Sequence, residues 1–261
     1  MFPLKDDIPT RRFPVLTVAL IAINVVMFFG FQGAFFGSDE DFNQNVVDYG
    51  AIPYEISHPG DECDVSASGQ DLICEGQAGA GGSAPDQPPT WLTLLTAMFM
   101  HGGLLHIAGN MLFLWIFGNN IEDSMGRARF LVFYLLGGLA ALAAQVLIDP
   151  DAAVPTIGAS GAVAAVLGGY ALLYPRARVV TMIFIVIFFT LIELPALVVL
   201  GGWFLLQALA GASELATPVG DGGGVAYWAH IGGFVFGLLL IRLFADRVHE
   251  DYERAHRLPV Y

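Results

Sequence analysis

Charge is what this chain has least of. Of 261 residues only 13% are Asp, Glu, Lys or Arg and 56% are hydrophobic, whereas an average soluble domain carries roughly 25% charged residues. That shortage excludes an ordinary solvated surface. Several apolar runs approach the length of about 20 residues that a bilayer demands of a helix, so the chain reads as one polytopic helical membrane domain. Cysteine is scarcer still: Cys63 and Cys74 are the only two. A lone pair excludes a structural zinc site. Both lie in an acidic stretch on the outer side, where a disulfide is expected and two free thiols are the alternative. Positive charge is equally sparse. The 11 Lys and Arg fall in five places: Lys5, Arg11 and Arg12; Arg127 and Arg129; Arg176 and Arg178; Arg242 and Arg247; Arg254 and Arg257. No basic patch suits nucleic acid. Basic residues that flank spans mark the cytoplasmic side. The residues between Asp39 and Asp86 carry 11 Asp and Glu, the composition of a solvated loop.

A short basic tail covers 1–12. Residues 15–31 read as an uncleaved first span, because the apolar core is longer than a signal core and no small-x-small cleavage site follows. Residues 37–90, rich in Gly, Pro, Ser, Asp and Gln, form a long outer loop. Residues 91–99 sit at the interface, led by Trp91. Further spans cover about 104–122, 130–147, 158–174 and 226–244. The stretch 179–209 is too long for one span: its 31 residues would make a helix of roughly 46 Å, against a hydrocarbon core of about 30 Å. Residues 179–191 are therefore placed near the inner interface or in a bent lead-in, and the fifth span starts near Glu193-Leu194-Pro195, proline suiting a first turn. The expectation is an all-α six-helix bundle over 13–247, with both termini and a tail at 248–261 in the cytoplasm.

This topology has a chemical consequence. Ser160 falls in the first turn of a helix entering from outside, and His230 lies about one turn into another. Ionisable residues within lipid are functional candidates by default, and a serine and histidine at one depth suggest a nucleophile and its base. His106 and Asn110, spaced i, i+4, share a helix face and bring a ring N–H and an amide donor. The N-terminal end of the fourth span adds free backbone N–H groups beside Ser160. Gly233-x-x-x-Gly237 lets helix backbones approach closely. Glu122 and Glu193 sit near the inner interface, where packing or water contact is expected. Other chemistries lack their residues. His101 and His106 do not form His-Glu-x-x-His. Asp221 has no aspartate partner. Ala162 replaces the last glycine of Gly-x-Ser-x-Gly, and no strands are evident. A small transporter would show two repeated halves, and none is found.

From about Trp91 onward the chain resembles the rhomboid intramembrane serine proteases. The resemblance rests on Gly158-Ala159-Ser160-Gly161, on Ala229-His230-Ile231-Gly232-Gly233, and on His101-Gly-Gly-Leu-Leu-His106-Ile-Ala-Gly-Asn110. It extends to Gly118-x-x-x-Glu122-x-x-x-Gly126-x-x-x-Phe130 and to Glu193-Leu-Pro-Ala196 with Trp203 and Gln207. It implies that Ser160 is the nucleophile and His230 the general base, without a third, aspartate member. His106, Asn110 and the Ser160 backbone would form the oxyanion hole. The substrates would be membrane proteins cut in or near a transmembrane segment, with small residues before the cut. The fifth span and the loop at 211–223 would act as gate and cap. No cofactor or metal is implied, and the expected location is a bacterial inner (plasma) membrane. The competing expectation is a catalytically inactive relative that binds membrane clients. Ala164 stands where some members place a tyrosine that stacks on the histidine, and the loop at 37–89 matches no family motif.

Overall fold

The computed structural model describes residues 2–34, 37–65, 72–76, 87–185, 188–216 and 224–246. The tail at 248–261, Arg247, Asp221 and most of the expected cap loop, 217–223, lie outside the described residues. In chain order the elements are β1 (Phe2–Asp6), α1 (Val15–Val26, continued by a π-turn at Met27–Phe31), α2 (Asp39–Tyr49), α3 (Pro53–Ser57), β2 (Cys63–Val65) and β3 (Leu72–Cys74). Next come α4 (Thr90–Thr96), α5 (Leu104–Phe113), α6 (Asn119–Met125), α7 (Arg127–Ile148) and α8 (Ser160–Leu173). The chain then forms β4 (Arg178–Ile185), β5 (Phe188–Pro195), α9 (Ala196–Ala216) and α10 (Tyr227–Phe244). A π-turn at Leu114–Gly118 joins α5 to α6, making one apolar helix from Leu104 to Met125.

Among the described residues, four helices are long and apolar enough to cross a membrane: Leu104–Met125, Arg127–Ile148, Ala196–Ala216 and Tyr227–Phe244. Val15–Phe31 and Ser160–Leu173 are apolar but shorter. At 14 residues α8 is only about 21 Å long. Its brevity has a packing explanation. It is buried along nearly its whole length, so it meets protein on all sides and need not match lipid thickness.

The all-α expectation is corrected. The stretch 179–191, expected near the inner interface or in a bent lead-in, is strand in its described residues. β4 pairs antiparallel with β5, and β1 adds to β4 with Phe2 opposite Met182 and Lys5 opposite Val180. Val179, Val180, Thr181, Ile183, Ile185, Phe188 and Phe189 are β-branched or aromatic, residues that suit a pleated surface. Folding back also disposes of the excess length. The fifth helix starts at Ala196, one residue past the proline that was expected to lie inside its first turn.

Three polar anchors tie this end together. The Glu122 carboxylate accepts from Leu16 N (3.1 Å), Thr17 N (2.8 Å) and Thr17 Oγ1 (2.8 Å). It thereby satisfies orphan amides at the start of α1, which is the packing role expected of it. Arg178 and Glu193 form an exposed ion pair across the hairpin at 3.2 Å. Asp6, buried at the end of β1, accepts from Tyr170 Oη and Asn120 Nδ2, each at 2.6 Å. On the opposite side, α2, α3 and the β2–β3 hairpin form a small lobe. Ser38 and Asp41 make a reciprocal capping box at the start of α2. Cys63 and Cys74 face each other across the hairpin and are disulfide-bonded.

Burial pushes the Asp6 carboxyl up to about 6 from its usual 3.8. A carboxyl whose pKa is raised by folding favours the folded state while protonated, and loses that contribution as pH rises through the folded value. Between pH 4 and pH 6.5 the parent should therefore lose about 2–3 kcal/mol of stability relative to Asp6→Asn. Thermal melts of the two proteins in detergent across that range check this.

Candidate active site

The site is built on the contact between α8 and α10. A Cβ added at Gly233 would run into Gly161 O, one added at Gly237 into Ala165 O, and one added at Gly168 into Phe234 O. The two backbones touch over two turns because small residues recur at helical spacing on both faces. Ser160 is the first residue of α8 and His230 lies in the first turn of α10. Gly161 and Ala229, their chain neighbours, face each other: a Cβ at Gly161 would lie 3.9 Å from Ala229 O. The two residues therefore share one level, as expected from the sequence. The Ser160 hydroxyl and the His230 ring are not hydrogen-bonded to each other. Such bonds are often long in a substrate-free site and tighten on binding.

His230 is held from a third helix. Its Nδ1 lies 2.8 Å from Gln207 Oε1 on α9. With a carbonyl oxygen as partner, Nδ1 carries the ring hydrogen and Nε2 is left with a free lone pair. Trp203, one turn earlier on α9, packs against the same ring with centroids 5.6 Å apart. These contacts supply the orientation that Ala164 cannot. Gln145 on α7 accepts from Ala229 N at 3.2 Å and so satisfies an orphan amide in the first turn of α10.

His106 and Asn110 converge on the same place from α5. Gly102 N donates to His106 Nδ1 at 3.3 Å, which leaves Nε2 as the ring donor. A Cβ at Gly158 would sit 2.8 Å from that Nε2 and 3.6 Å from Asn110 Nδ2. Gly158 has φ +120°, a conformation that favours glycine, and its N–H donates to Ala97 O at 2.8 Å. Asn110 Nδ2 is buried and has no hydrogen-bond partner, a costly state for a donor. The open first-turn amides of α8 lie beside it. The result is a pair of side-chain donors brought together at Gly158, one of them, Asn110 Nδ2, buried without an acceptor.

His101 is not part of this cluster. It is fully buried, its ring packs edge-on against His106 with centroids 5.1 Å apart, and its backbone N and O are held by the Gln32 side chain at 2.8 and 3.0 Å. It shapes the corner before α5 and props the His106 ring. Gly158 and Ser160 also border a cavity of about 30 Å³, together with Met98, Gly138, Ala141, Leu142 and Ala229, room for one or two waters.

A buried polar centre walled by membrane-length apolar helices defines the class: an integral membrane protein with a site inside the helix bundle. The family follows from comparison. A model of the Rhomboid domain matches residues 88–247, and the chain belongs to the rhomboid family. It is 42% identical over 84 residues to "Rhomboid protease GluP" of Bacillus subtilis, covering 32% of this chain and 16% of that one. It is 30% identical over 169 residues to "Rhomboid protein 1, mitochondrial" of Saccharomyces cerevisiae, covering 62% and 44%. It is 39% identical over 75 residues to "Rhomboid-like protein 11, chloroplastic" of Arabidopsis thaliana, covering 29% and 26%. The chain thus spans less than half the length of these relatives. Mitochondrial and chloroplast proteins stand beside the bacterial one, so they lend no support to a bacterial inner membrane in particular.

Gly233→Val should force α10 away from α8 and lower stability by about 2 kcal/mol or more. Gly201→Ala, where an added Cβ meets nothing within 4 Å, should leave the melting temperature in detergent unchanged.

Proposed function

We propose that the protein is an intramembrane serine endopeptidase that cuts transmembrane segments of other membrane proteins with a Ser160–His230 dyad. The observation that carries this reading is the convergence of unpartnered donors from His106 and Asn110 on Gly158, beside a serine at the level where α8 and α10 touch. In this reading His230 Nε2 takes the proton of Ser160 Oγ as the oxygen attacks the scissile carbonyl. The developing oxyanion enters the space beside Gly158 and is held by His106 Nε2–H, Asn110 Nδ2–H and the Ser160 N–H. The imidazolium then gives its proton to the leaving amine. A water, for which the adjacent cavity has room, releases the acyl group by the reverse sequence. Gln207 does the work of the missing aspartate by fixing the ring tautomer without adding charge.

The six-span topology belongs to the same proposal. α1 and α8 join the four longer helices, and both termini lie on the cytoplasmic side with the basic residues. α9 exposes Leu197, Val198, Leu205, Leu206 and Leu209, which suits a lipid-facing gate beside the site. A second reading, a client-binding relative without activity, is favoured by the absent Ser160–His230 hydrogen bond. One assay decides between them.

Ser160→Ala and His230→Ala should each abolish cleavage of a reconstituted transmembrane substrate while the protein stays folded. Full activity in either refutes the dyad. Asn110→Ala should slow turnover about tenfold or more. Gln207→Leu should lower kcat by about tenfold with KM little changed, and Gln207→Glu, which keeps the acceptor, should recover most of it. An unchanged kcat in Gln207→Leu removes the residue from the mechanism.

A further inference from the structure

We infer that the disulfide-stapled outer lobe is a positioning element of the active site, clamping from outside the segment 149–158 that delivers Gly158 and Ser160. The inference rests on the protease reading above. The segment between α7 and α8 does little to fix its own shape: Ala152 N to Asp149 O, at 3.5 Å, is its one internal backbone bond among the described residues. The lobe supplies the rest. Ala51 N donates to Thr156 O at 3.2 Å and Thr156 N donates to Ala51 O at 2.8 Å, a two-bond antiparallel bridge. Tyr54 N donates to Ala152 O at 3.0 Å, and Ser57 Oγ to Pro150 O at 2.6 Å. A Cβ at Gly50 would fall 2.8 Å from Pro155 Cβ and 3.0 Å from Ile157 Cγ2, so these two side chains pack directly on the Gly50 backbone.

The lobe also grips the other rail of the site. Thr96 Oγ1 donates to Tyr49 O at 2.8 Å, and the next residue, Ala97, offers the carbonyl that accepts Gly158 N. Gly158 is thus located between two strips of chain, both referenced to the lobe. Among the described residues, the lobe's own core is five buried residues: Val47, Ile52, Tyr54, Cys63 and Cys74. Cys63 N donates to Glu55 Oε1 at 3.0 Å and Tyr54 Oη to Glu75 O at 2.9 Å. A core that small depends on its staple. Releasing the staple loosens the Ala51–Thr156 bridge and lets Gly158 drift from the donors of His106 and Asn110. A misplacement of about 1 Å is enough to cost up to about 100-fold in rate.

The test compares the parent, the parent reduced by a phosphine (the disulfide becomes two thiols and the phosphine its oxide), and Cys63→Ser/Cys74→Ser, all in liposomes. The readouts are kcat and KM on a transmembrane substrate, the rate of Ser160 labelling by a small fluorophosphonate, and exchange of the Thr156 amide hydrogen. Reduction and the double substitution should each lower kcat and labelling by about tenfold, leave KM within about twofold, and speed Thr156 exchange. Reoxidation should restore the parent, and the double variant should ignore the reductant. Ala51→Pro, which removes one bridge donor and keeps the disulfide, should act in the same direction. Unchanged kcat and Thr156 exchange after reduction, with Ser160→Ala inactive, overturn the clamp alone. If the parent shows no Ser160-dependent cleavage or labelling, the protease reading fails, and Thr156 exchange still decides whether the staple holds the bridge.

Discussion

The structure depends on how closely α8 and α10 can approach. Their backbones meet at Gly161, Ala165, Gly168, Gly233 and Gly237, and no side chain is available to hold them apart. In lipid there is little hydrophobic drive between helices, so this approach is stabilised by van der Waals contact along touching main chains. It also explains why a helix of only 14 residues can stand at the centre of the bundle. α8 is enclosed by α7, α9 and α10, with Phe117 and Tyr134 among the large buried side chains that close the space around it. The serine at its head and the histidine on its partner are brought to one level as a consequence.

Polar groups then act at three depths, each with a different physical task. At the basic end, Glu122 satisfies the start of α1 and Asp6 pins β1 to α6 and α8. At the site, donors are left over: the Asn110 amide has no partner, and it and the His106 Nε2 both lie against Gly158. Satisfied groups hold helices in place, whereas aligned and unsatisfied ones store the capacity to stabilise a developing charge. At the opposite end the lobe is stapled by the Cys63–Cys74 disulfide and bonded through Ala51 to Thr156, in the segment that carries Gly158.

The α9 contact joins these themes. The helix is lightly buried and exposes a leucine-rich face, yet Gln207 and Trp203 hold the His230 ring. The lightly buried helix is therefore also the one that orients the His230 ring. Displacing α9 would release that ring, a coupling that a tyrosine on α8 would have avoided.

Sequence alone determined a good deal. Scarce charge and long apolar runs fixed the membrane class, and most helix ends were placed within a few residues because lipid demands satisfied backbones and uniform hydropathy, although the fifth helix runs on to Ala216 rather than ending near 209. That His106 and Asn110 share a face was legible from their spacing, since i, i+4 positions do so wherever a helix forms. Gln207 carried a signal too, as a lone amide in an apolar helix one turn after Trp203, but its partner lies on another helix. Tertiary structure decided what depends on partners distant in the chain. The hairpin at 178–195 reads as apolar helix until β1 pairs with it, because a short apolar run does not distinguish strand from helix. The outer loop reads as solvated until Ala51 meets Thr156, a contact about a hundred residues apart that no local propensity encodes.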